Sequence, residues 1–230
     1  MRITIFGATG RVGAALLDSV QQAADLTLAE AISASGQAGS VALPKARLTD
    51  TDVIVDFSSP AGTMALLDRL AGCAVPVVVG TTGFSAAESE ALEREAAHRA
   101  ILVSANFTKG FEIFADCAQR LALGLADAAI TVGEIYNAQK KPVASGTTQR
   151  LVTLLAEGGR SIRTDIGRVG NTAGVNTVTL DYGVATIRLE LAVQSRAAYA
   201  EGALDAARWL VGRPAGFYRL KDTLDTGQET

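Results

Sequence analysis

The chain opens MRITIFGATGRVGAALL (Met1–Leu17), where an apolar run stops at a glycine and a helical pattern starts at once. That order reads as strand, turn, helix. Gly7, Gly10 and Gly13 form G-x-x-G-x-x-G. In such a loop the first glycine permits a tight turn, the second lets backbone approach a pyrophosphate, and the third allows helix to pack closely on strand. Amides at the helix start then face the phosphates, and the Arg11 guanidinium adds a forked donor. A glycine triplet alone would also suit an ordinary tight turn. Here the triplet follows the strand Ile3–Phe6 and opens a helix carrying Val12, Leu16, Leu17 and Val20 on its apolar face, which points to dinucleotide binding.

Outward from this loop the pattern repeats. Thr27–Ile32 reads as a second strand, ending at Ser33-Ala34-Ser35 where dinucleotide folds usually carry an acidic residue for the adenosine ribose. With no carboxylate there to repel a 2′-phosphate, the pocket is expected to take NADPH or NADH. Val53–Phe57 is a β-branched strand, followed by Ser58, then Ser59 as a helix cap and Pro60 as first helical residue of a helix running to about Ala71. Val75–Val79 is nearly all apolar, as a strand covered on both faces should be, and it ends in Gly80-Thr81-Thr82-Gly83. Ser85 and Glu88 form a capping box for the helix Ala86–Arg99, and Ile101–Ser104 gives a further strand. In a parallel sheet the C-terminal strand ends line one crevice, so Gly7–Arg11, Phe57–Ser59, Gly80–Gly83 and Ser104–Phe107 should converge on the ligand. The candidate coenzyme-binding residues are Gly7, Thr9, Gly10, Arg11, Val12, Ser33, Phe57, Ser58, Gly80, Thr81, Thr82, Ser104, Asn106 and Phe107.

Past Asn106 the alternation ends. Phe111–Leu125 reads as a helix, Ala129–Tyr136 as a strand and Thr147–Glu157 as a helix, and three strand-like stretches follow at Ser161–Arg168, Asn176–Tyr182 and Thr186–Val193. Successive strands without intervening helices imply a mixed or antiparallel sheet. The expected fold class is therefore α/β: a Rossmann-type parallel sheet that binds a dinucleotide, plus an α+β domain with a mixed sheet for substrate and oligomerisation. The expected boundaries are 1–107 for the first domain, joined by a C-terminal segment 196–230 containing the helix Ala197–Val211, and 108–195 for the second. The last few residues read as a frayed tail.

Composition narrows the function. In 230 residues with a formal net charge of −3 no basic stripe for nucleic acid stands out, so the partner is expected to be a small molecule. No apolar run reaches spanning length and no basic leader precedes one, so the expectation is a cytoplasmic protein without membrane contact. Cys73 and Cys117 fit no ligand spacing and read as small buried side chains, and no metal site is visible. The single histidine, His98, falls in the last turn of the helix Ala86–Arg99, where the helix dipole favours it and no chemistry is required. A proton donor has to be sought elsewhere.

Several stretches together resemble the dihydrodipicolinate reductase family, the NAD(P)H-dependent reductases of the lysine and diaminopimelate pathway. GATGRVG resembles the family's glycine loop, VIVDFSSP, VVVGTTGF and SANFTKG its next three signatures, and SRAAYAEGALDAARWLVG its closing helix, in order along nearly the whole chain. The resemblance implies hydride transfer to a cyclic, unsaturated dicarboxylate and a homotetramer, or at least a homodimer. The substrate signature departs from the pattern. Where the family reads E-x-H-H-x-x-K-x-D-A-P-S-G-T, this chain has EIYNAQKKPVASGT (Glu134–Thr147). Lys140 and Ser145-Gly146-Thr147 stand on the family's lysine and carboxylate-binding residues. Tyr136 and Asn137 replace two histidines, Pro142 and Ala144 replace the aspartate and proline, and Asn176 replaces a third histidine further on.

On the residues themselves, Ser145, Gly146 and Thr147 start a helix whose amides and hydroxyls can face a carboxylate, with Lys140 adding charge. The competing reading is that Ser145 simply caps the helix. Tyr136 and Lys140, spaced Y-x-x-x-K, resemble the acid pair of short-chain dehydrogenases, but they sit at a strand end and in a loop, and the serine of that family is absent. The expected catalytic residues are Lys140 and Tyr136, with Ser145, Gly146, Thr147 and Asn137 binding substrate. Loss of both histidines suggests an altered substrate, such as another cyclic imine or a pyridine-carboxylate-like compound. A nucleotide sensor without turnover is the reading from another class.

Overall fold

The computed structural model describes residues 1–224. They form two compact units, Met1–Phe107 with the chain from Tyr199 onward, and Thr108–Ala198.

The first unit is built on a parallel sheet of β1 (Arg2–Phe6), β2 (Thr27–Ser33), β3 (Val41–Ala42), β4 (Val53–Asp56), β5 (Val77–Val79), β6 (Ala100–Val103) and, added from the far end of the chain, the strand Gly216–Arg219. The order runs from that last strand through β6, β5, β4, β1 and β2 to β3, every neighbouring pair parallel. Burial of both faces explains the apolar runs. On one side Ile3, Ile5, Val53, Val55, Val78 and Leu102 pack with helix α1 (Arg11–Gln22) and with the C-terminal helix Ala197–Leu210 through Ala200, Ala203, Leu204, Ala207 and Leu210. On the other, Phe6, Ile32, Ile54, Val77, Val79 and Ile101 pack with α2 (Pro60–Arg69) and α3 (Ala86–Glu95). The order reverses between β1 and β4, the place where open sheets of this kind form their ligand crevice.

Local signals act as read. The Ser59 side chain accepts from the Gly62 amide at 3.2 Å with Pro60 beginning α2, and Ser85 and Glu88 close a reciprocal capping box on α3. Two expectations are corrected, and one element is added to those expected. Helix α3 stops at Glu95, so His98 lies in a turn beyond it, its amide donating to the Glu95 carbonyl at 2.9 Å. Cys117 is exposed rather than buried, because it occupies the solvent side of its helix beside Asp116 and Arg120. Gly216–Arg219 is an edge strand paired with β6. The expected frayed tail includes residues 225–230, which lie outside the described residues.

The second unit contains α4 (Phe111–Gly124), β7 (Ala129–Tyr136), α5 (Gly146–Leu155), β8 (Ile162–Arg168), β9 (Gly174–Asp181) and β10 (Thr186–Val193). The sheet order is β10, β9, β7, β8; β7 runs antiparallel to β9 and parallel to β8, which makes the sheet mixed. Ile130, Val132, Val178 and Leu180 face α4 and α5, meeting Phe111, Ala115, Ala118, Leu151 and Leu155. The opposite face carries Thr131, Ile135, Val175 and Thr179, residues of alternate parity, and no helix of this unit covers it. The C-terminal helix Ala197–Leu210 is α6 and the strand Gly216–Arg219 is β11.

Candidate functional site

In the first unit, the C-terminal ends of β1, β4, β5 and β6 lie side by side, carrying the loops after Phe6, Asp56, Val79 and Val103 to one edge of the sheet. The glycines there have separate reasons. Gly7 has φ +84°, and a Cβ on it would lie 2.4 Å from the Phe57 carbonyl oxygen. A Cβ on Gly13 would lie 2.1 Å from the Gly7 carbonyl oxygen, so α1 can sit this close to the loop only without one. Both requirements come from protein against protein. Gly10 is exposed, and a Cβ there would meet nothing closer than the Gly7 carbonyl oxygen at 3.1 Å. Gly10 caps α1 without a side-chain hydrogen bond, and both Gly10 and Arg11 are exposed. An exposed, backbone-only helix start behind a glycine turn fits the pyrophosphate of a dinucleotide.

Around this cradle Thr9, Gly10, Arg11 and Thr82 are exposed, and Gly7, Val12, Phe57, Ser58 and Gly80 half-buried. Ser33, Thr81, Ser104, Asn106 and Phe107 are buried. Ser33 is committed to its own loop: its Oγ accepts from the Gly36 amide at 3.0 Å and from Ser40 Oγ at 2.6 Å, and the exposed hydroxyl at this strand end belongs to Ser35. Ser104 Oγ donates to the Asn106 carbonyl at 2.8 Å. The Phe57 and Phe107 rings meet at 5.6 Å, and a Cβ on Gly80 would strike the Phe57 ring at 2.3 Å.

Beneath these loops is a residue that sequence reasoning missed. Asp56, fully buried at the end of β4, accepts from the Ser58 amide at 2.8 Å, from Thr63 Oγ1 at 2.5 Å and from Thr81 Oγ1 at 3.4 Å, tying the loops after β4 and β5 to α2. Burial pushes its carboxyl above the usual range, and the hydrogen bonds from Ser58, Thr63 and Thr81 offset only part of that. The available signal was a carboxylate closing an otherwise apolar strand.

In the second unit Ser145 caps α5, its Oγ accepting from the Thr148 amide at 3.2 Å, so the capping role is real. The cap is held from behind by Glu134, which accepts from the Ser145 amide at 3.0 Å and from the Thr148 hydroxyl, and pairs with Arg168 Nη2 at 2.7 Å. Burial pushes the Glu134 carboxyl up, but the bonds from Ser145, Thr148 and Arg168 outweigh it and hold the group below its ordinary value. Arg168 also donates to the carbonyls of Lys141 at 2.8 Å, Val143 at 2.7 Å and Gly167 at 2.7 Å. One guanidinium thus fastens the loop between β7 and α5 to the strand beside it. Asn137 is buried and shapes the turn, its Oδ1 accepting from the Gln139 amide at 3.2 Å and its carbonyl from the Lys140 amide at 3.1 Å. Thr147 is buried in the first turn of α5.

Tyr136, Lys140 and Asn176 come together. The Lys140 ammonium lies 3.5 Å from the centroid of the Tyr136 ring, and the Tyr136 hydroxyl donates to Asn176 Oδ1 at 3.2 Å. Two positions where the family's pattern has histidine therefore touch. Asn176 is fully buried, and its Nδ2 has no hydrogen-bond partner among the described residues. Glu134, Arg168 and Asn176 are residues of this half that sequence reasoning did not assign a role, since strand pairing alone brings them together. Among the described residues no group of three His, Cys, Asp or Glu side chains is placed to hold a metal, and no helix is long and apolar enough to cross a membrane.

Comparison with known proteins covers both halves. The family description "Dihydrodipicolinate reductase, N-terminus" matches residues 1–107 and "Dihydrodipicolinate reductase, C-terminus" residues 110–224. The 4-hydroxy-tetrahydrodipicolinate reductase of Thermomicrobium roseum is 33% identical, over 96% of this chain and 98% of that protein. The protein of the same name from Zymomonas mobilis is 30% identical, over 97% of each. In fold, the dipicolinate-bound dihydrodipicolinate reductase from Paenisporosarcina sp. TG-14 superposes with a TM-score of 0.74 at 17% identity, over 95% of this chain and 97% of that one.

Proposed function

The chain belongs to the dihydrodipicolinate reductase family of NAD(P)H-dependent oxidoreductases, and on that premise we propose that it reduces the family's cyclic, unsaturated dicarboxylate, 4-hydroxy-tetrahydrodipicolinate. Kinship over the whole length of named reductases favours this substrate over a different cyclic imine or a pyridine-carboxylate-like compound, and favours turnover over nucleotide sensing.

The observation that carries the reading is the N-terminus of α5. Gly146 and Thr147 form the first turn of α5 behind the Ser145 cap, Lys140 stands in the loop just before them, and the Glu134–Arg168 pair fixes the cap and the loop. A helix start with an adjacent ammonium grips a carboxylate through dipole, hydrogen bonds and charge. The fully buried Asn176 Nδ2 is a donor in the same cluster that a bound polar group would satisfy. In the first unit, Gly7, Thr9, Gly10, Arg11 and Val12 hold the pyrophosphate, while Phe57, Ser58, Gly80, Thr81, Thr82, Ser104, Asn106 and Phe107 shape the crevice for the rest of the coenzyme. When bound, the reduced nicotinamide supplies the hydride. Lys140 stabilises the substrate's negative charge as the hydride arrives.

Three finer assignments belong to the same reading. NADPH is accepted at least as well as NADH, because the loop after β2 carries hydroxyls and no carboxylate at Ser33–Ser35. The chain works as a homotetramer, or at least a homodimer, through the sheet face of the second unit that no helix of that unit covers. It acts in the cytoplasm, where a biosynthetic reductase finds its coenzyme.

The test is steady-state oxidation of NADPH and NADH with 4-hydroxy-tetrahydrodipicolinate, for wild type and Lys140→Ala. We expect turnover with both coenzymes and a substrate KM raised about tenfold or more by Lys140→Ala, the loss of one charged contact, with coenzyme affinity unchanged. Absence of turnover in a wild type that binds coenzyme by calorimetry would overturn the reading.

A further inference from the structure

Tyr136 stands where the family pattern has a histidine, which invites the view that its hydroxyl replaces an imidazole proton. The geometry points elsewhere. Its hydroxyl hydrogen is directed at Asn176 Oδ1, while the Lys140 ammonium lies over the ring face at 3.5 Å from the centroid and the Arg168 guanidinium carbon at 5.9 Å. An aromatic face attracts cations at such distances through its quadrupole, more strongly when the ring is withdrawn from water. The Tyr136 ring is withdrawn, with only 5% of the residue exposed.

The ring is also held in place. Tyr136 ends β7, its carbonyl accepting from the Val169 amide at 2.8 Å, and its hydroxyl is tethered on β9 through Asn176. Lys140 follows four residues later, in a loop whose Lys141 and Val143 carbonyls are held by Arg168. A lysine side chain loses much rotamer freedom when fixed. Here its backbone is fastened by the loop and its charged end by the ring.

We infer that Tyr136 is a positioning residue that acts through its ring, holding the Lys140 ammonium in place for the substrate carboxylate, with the Tyr136–Asn176 hydrogen bond serving to orient that ring. The inference rests on the assignment of Lys140 to the carboxylate. It accounts for the joint replacement of the histidines that the family's pattern has at positions 136 and 176: Tyr136 is an aromatic platform for a cation, and Asn176 an amide that accepts the platform's hydroxyl. An imidazolium at position 136 would repel the ammonium instead of holding it.

The experiment compares Tyr136→Leu, Tyr136→Phe and the mono-, di- and trifluorinated ring analogues of Tyr136→Phe, which keep shape while progressively emptying the ring face of electron density. Substrate KM should rise stepwise with fluorination and stand roughly 2- to 30-fold higher in Tyr136→Leu than in Tyr136→Phe, the span of a cation–π contact. kcat should move less than KM, and coenzyme affinity should stay level across the series. In a Lys140→Ala background the fluorination steps should vanish. A flat KM across the series, with Lys140→Ala still raising KM, would overturn this inference alone. A kcat in Tyr136→Phe reduced by about 10²-fold or more, the loss typical of a positioned acid, would also overturn it in favour of the hydroxyl. An unchanged KM in Lys140→Ala would overturn it together with the assignment on which it rests.

Discussion

In the proposed function, the glycine cradle of the first unit and the loop Glu134–Thr147 of the second solve the same problem, holding an anion at a helix start, by opposite means. The cradle is made of backbone, and its shape depends on side chains that are missing at Gly7, Gly10 and Gly13. The loop is made of side chains, with Glu134, Arg168, Lys140 and Ser145 each holding another part in position. The difference shows how each can change. A backbone device tolerates no added atom, so its signature survives intact in this chain. A side-chain device can exchange members, provided the exchanged residues still fit one another, as Tyr136 and Asn176 do.

The comparison breaks most readily at Gly13. Adding one methyl by Gly13→Ala places a carbon 2.1 Å from the Gly7 carbonyl oxygen, and neither partner is a flexible side chain. We expect a destabilisation of about 1–3 kcal/mol from overpacking and loss of coenzyme binding in calorimetry. A variant that binds NADPH like wild type would show the cradle to be less rigid than its geometry implies.

The loop should fail differently. Arg168→Ala leaves the Glu134 carboxylate buried without its cation and releases the Lys141 and Val143 carbonyls. Removing one partner of a buried ion pair costs about 3–5 kcal/mol where no water enters, and the 11% exposure of the Arg168 side chain places the result toward the lower end. The specific readout is substrate KM raised with coenzyme affinity unchanged. If both affinities fell together, the two devices would not be independent in the sense drawn above.

The smallest effect sharpens the electrostatics. Glu134 has its carboxyl held below the ordinary value in the folded state, so it binds fewer protons folded than unfolded across that interval. Its contribution to stability is therefore complete above the unfolded value near 4.5 and is lost as pH falls through the folded value. Glu134→Gln should flatten the acid limb of thermal stability in that window and leave the neutral region with a constant offset. An acid limb as steep as wild type would assign the dependence to other carboxylates.

Much of this is legible in the sequence alone, where the cause is local. The loop after Phe6, the Ser85–Glu88 box and the Ser59-Pro60 helix start all depend on residues within one turn of each other. What the sequence hides depends on distance. Arg168 reaches Glu134 across 34 positions, and nothing about an arginine at a strand end announces four partners. Asp56 resembles an ordinary strand terminus until Thr63 and Thr81 arrive from two other elements. Strand β11 is four residues long and lies beyond a helix followed by Gly212, so only its pairing with β6 makes it a strand. Cys117 departs from its expected burial because an apolar helix still has a wet side.

The return of the chain to its first sheet carries a consequence for synthesis. A Cβ on Gly202 of α6 would lie 1.7 Å from the Phe107 carbonyl oxygen, so the returning helix is seated directly on the point where the chain leaves that sheet. At synthesis rates of about 5–20 residues per second, a nascent chain that has reached Phe107 waits several seconds for the rest. Until α6 and β11 emerge, Ile3, Val55, Val78 and Leu102 lack one of the two helices that pack on their face and β6 keeps an open edge. The sheet that carries the glycine loop is thus completed only by α6 and β11, which makes coenzyme binding a report on whether both have been made and docked.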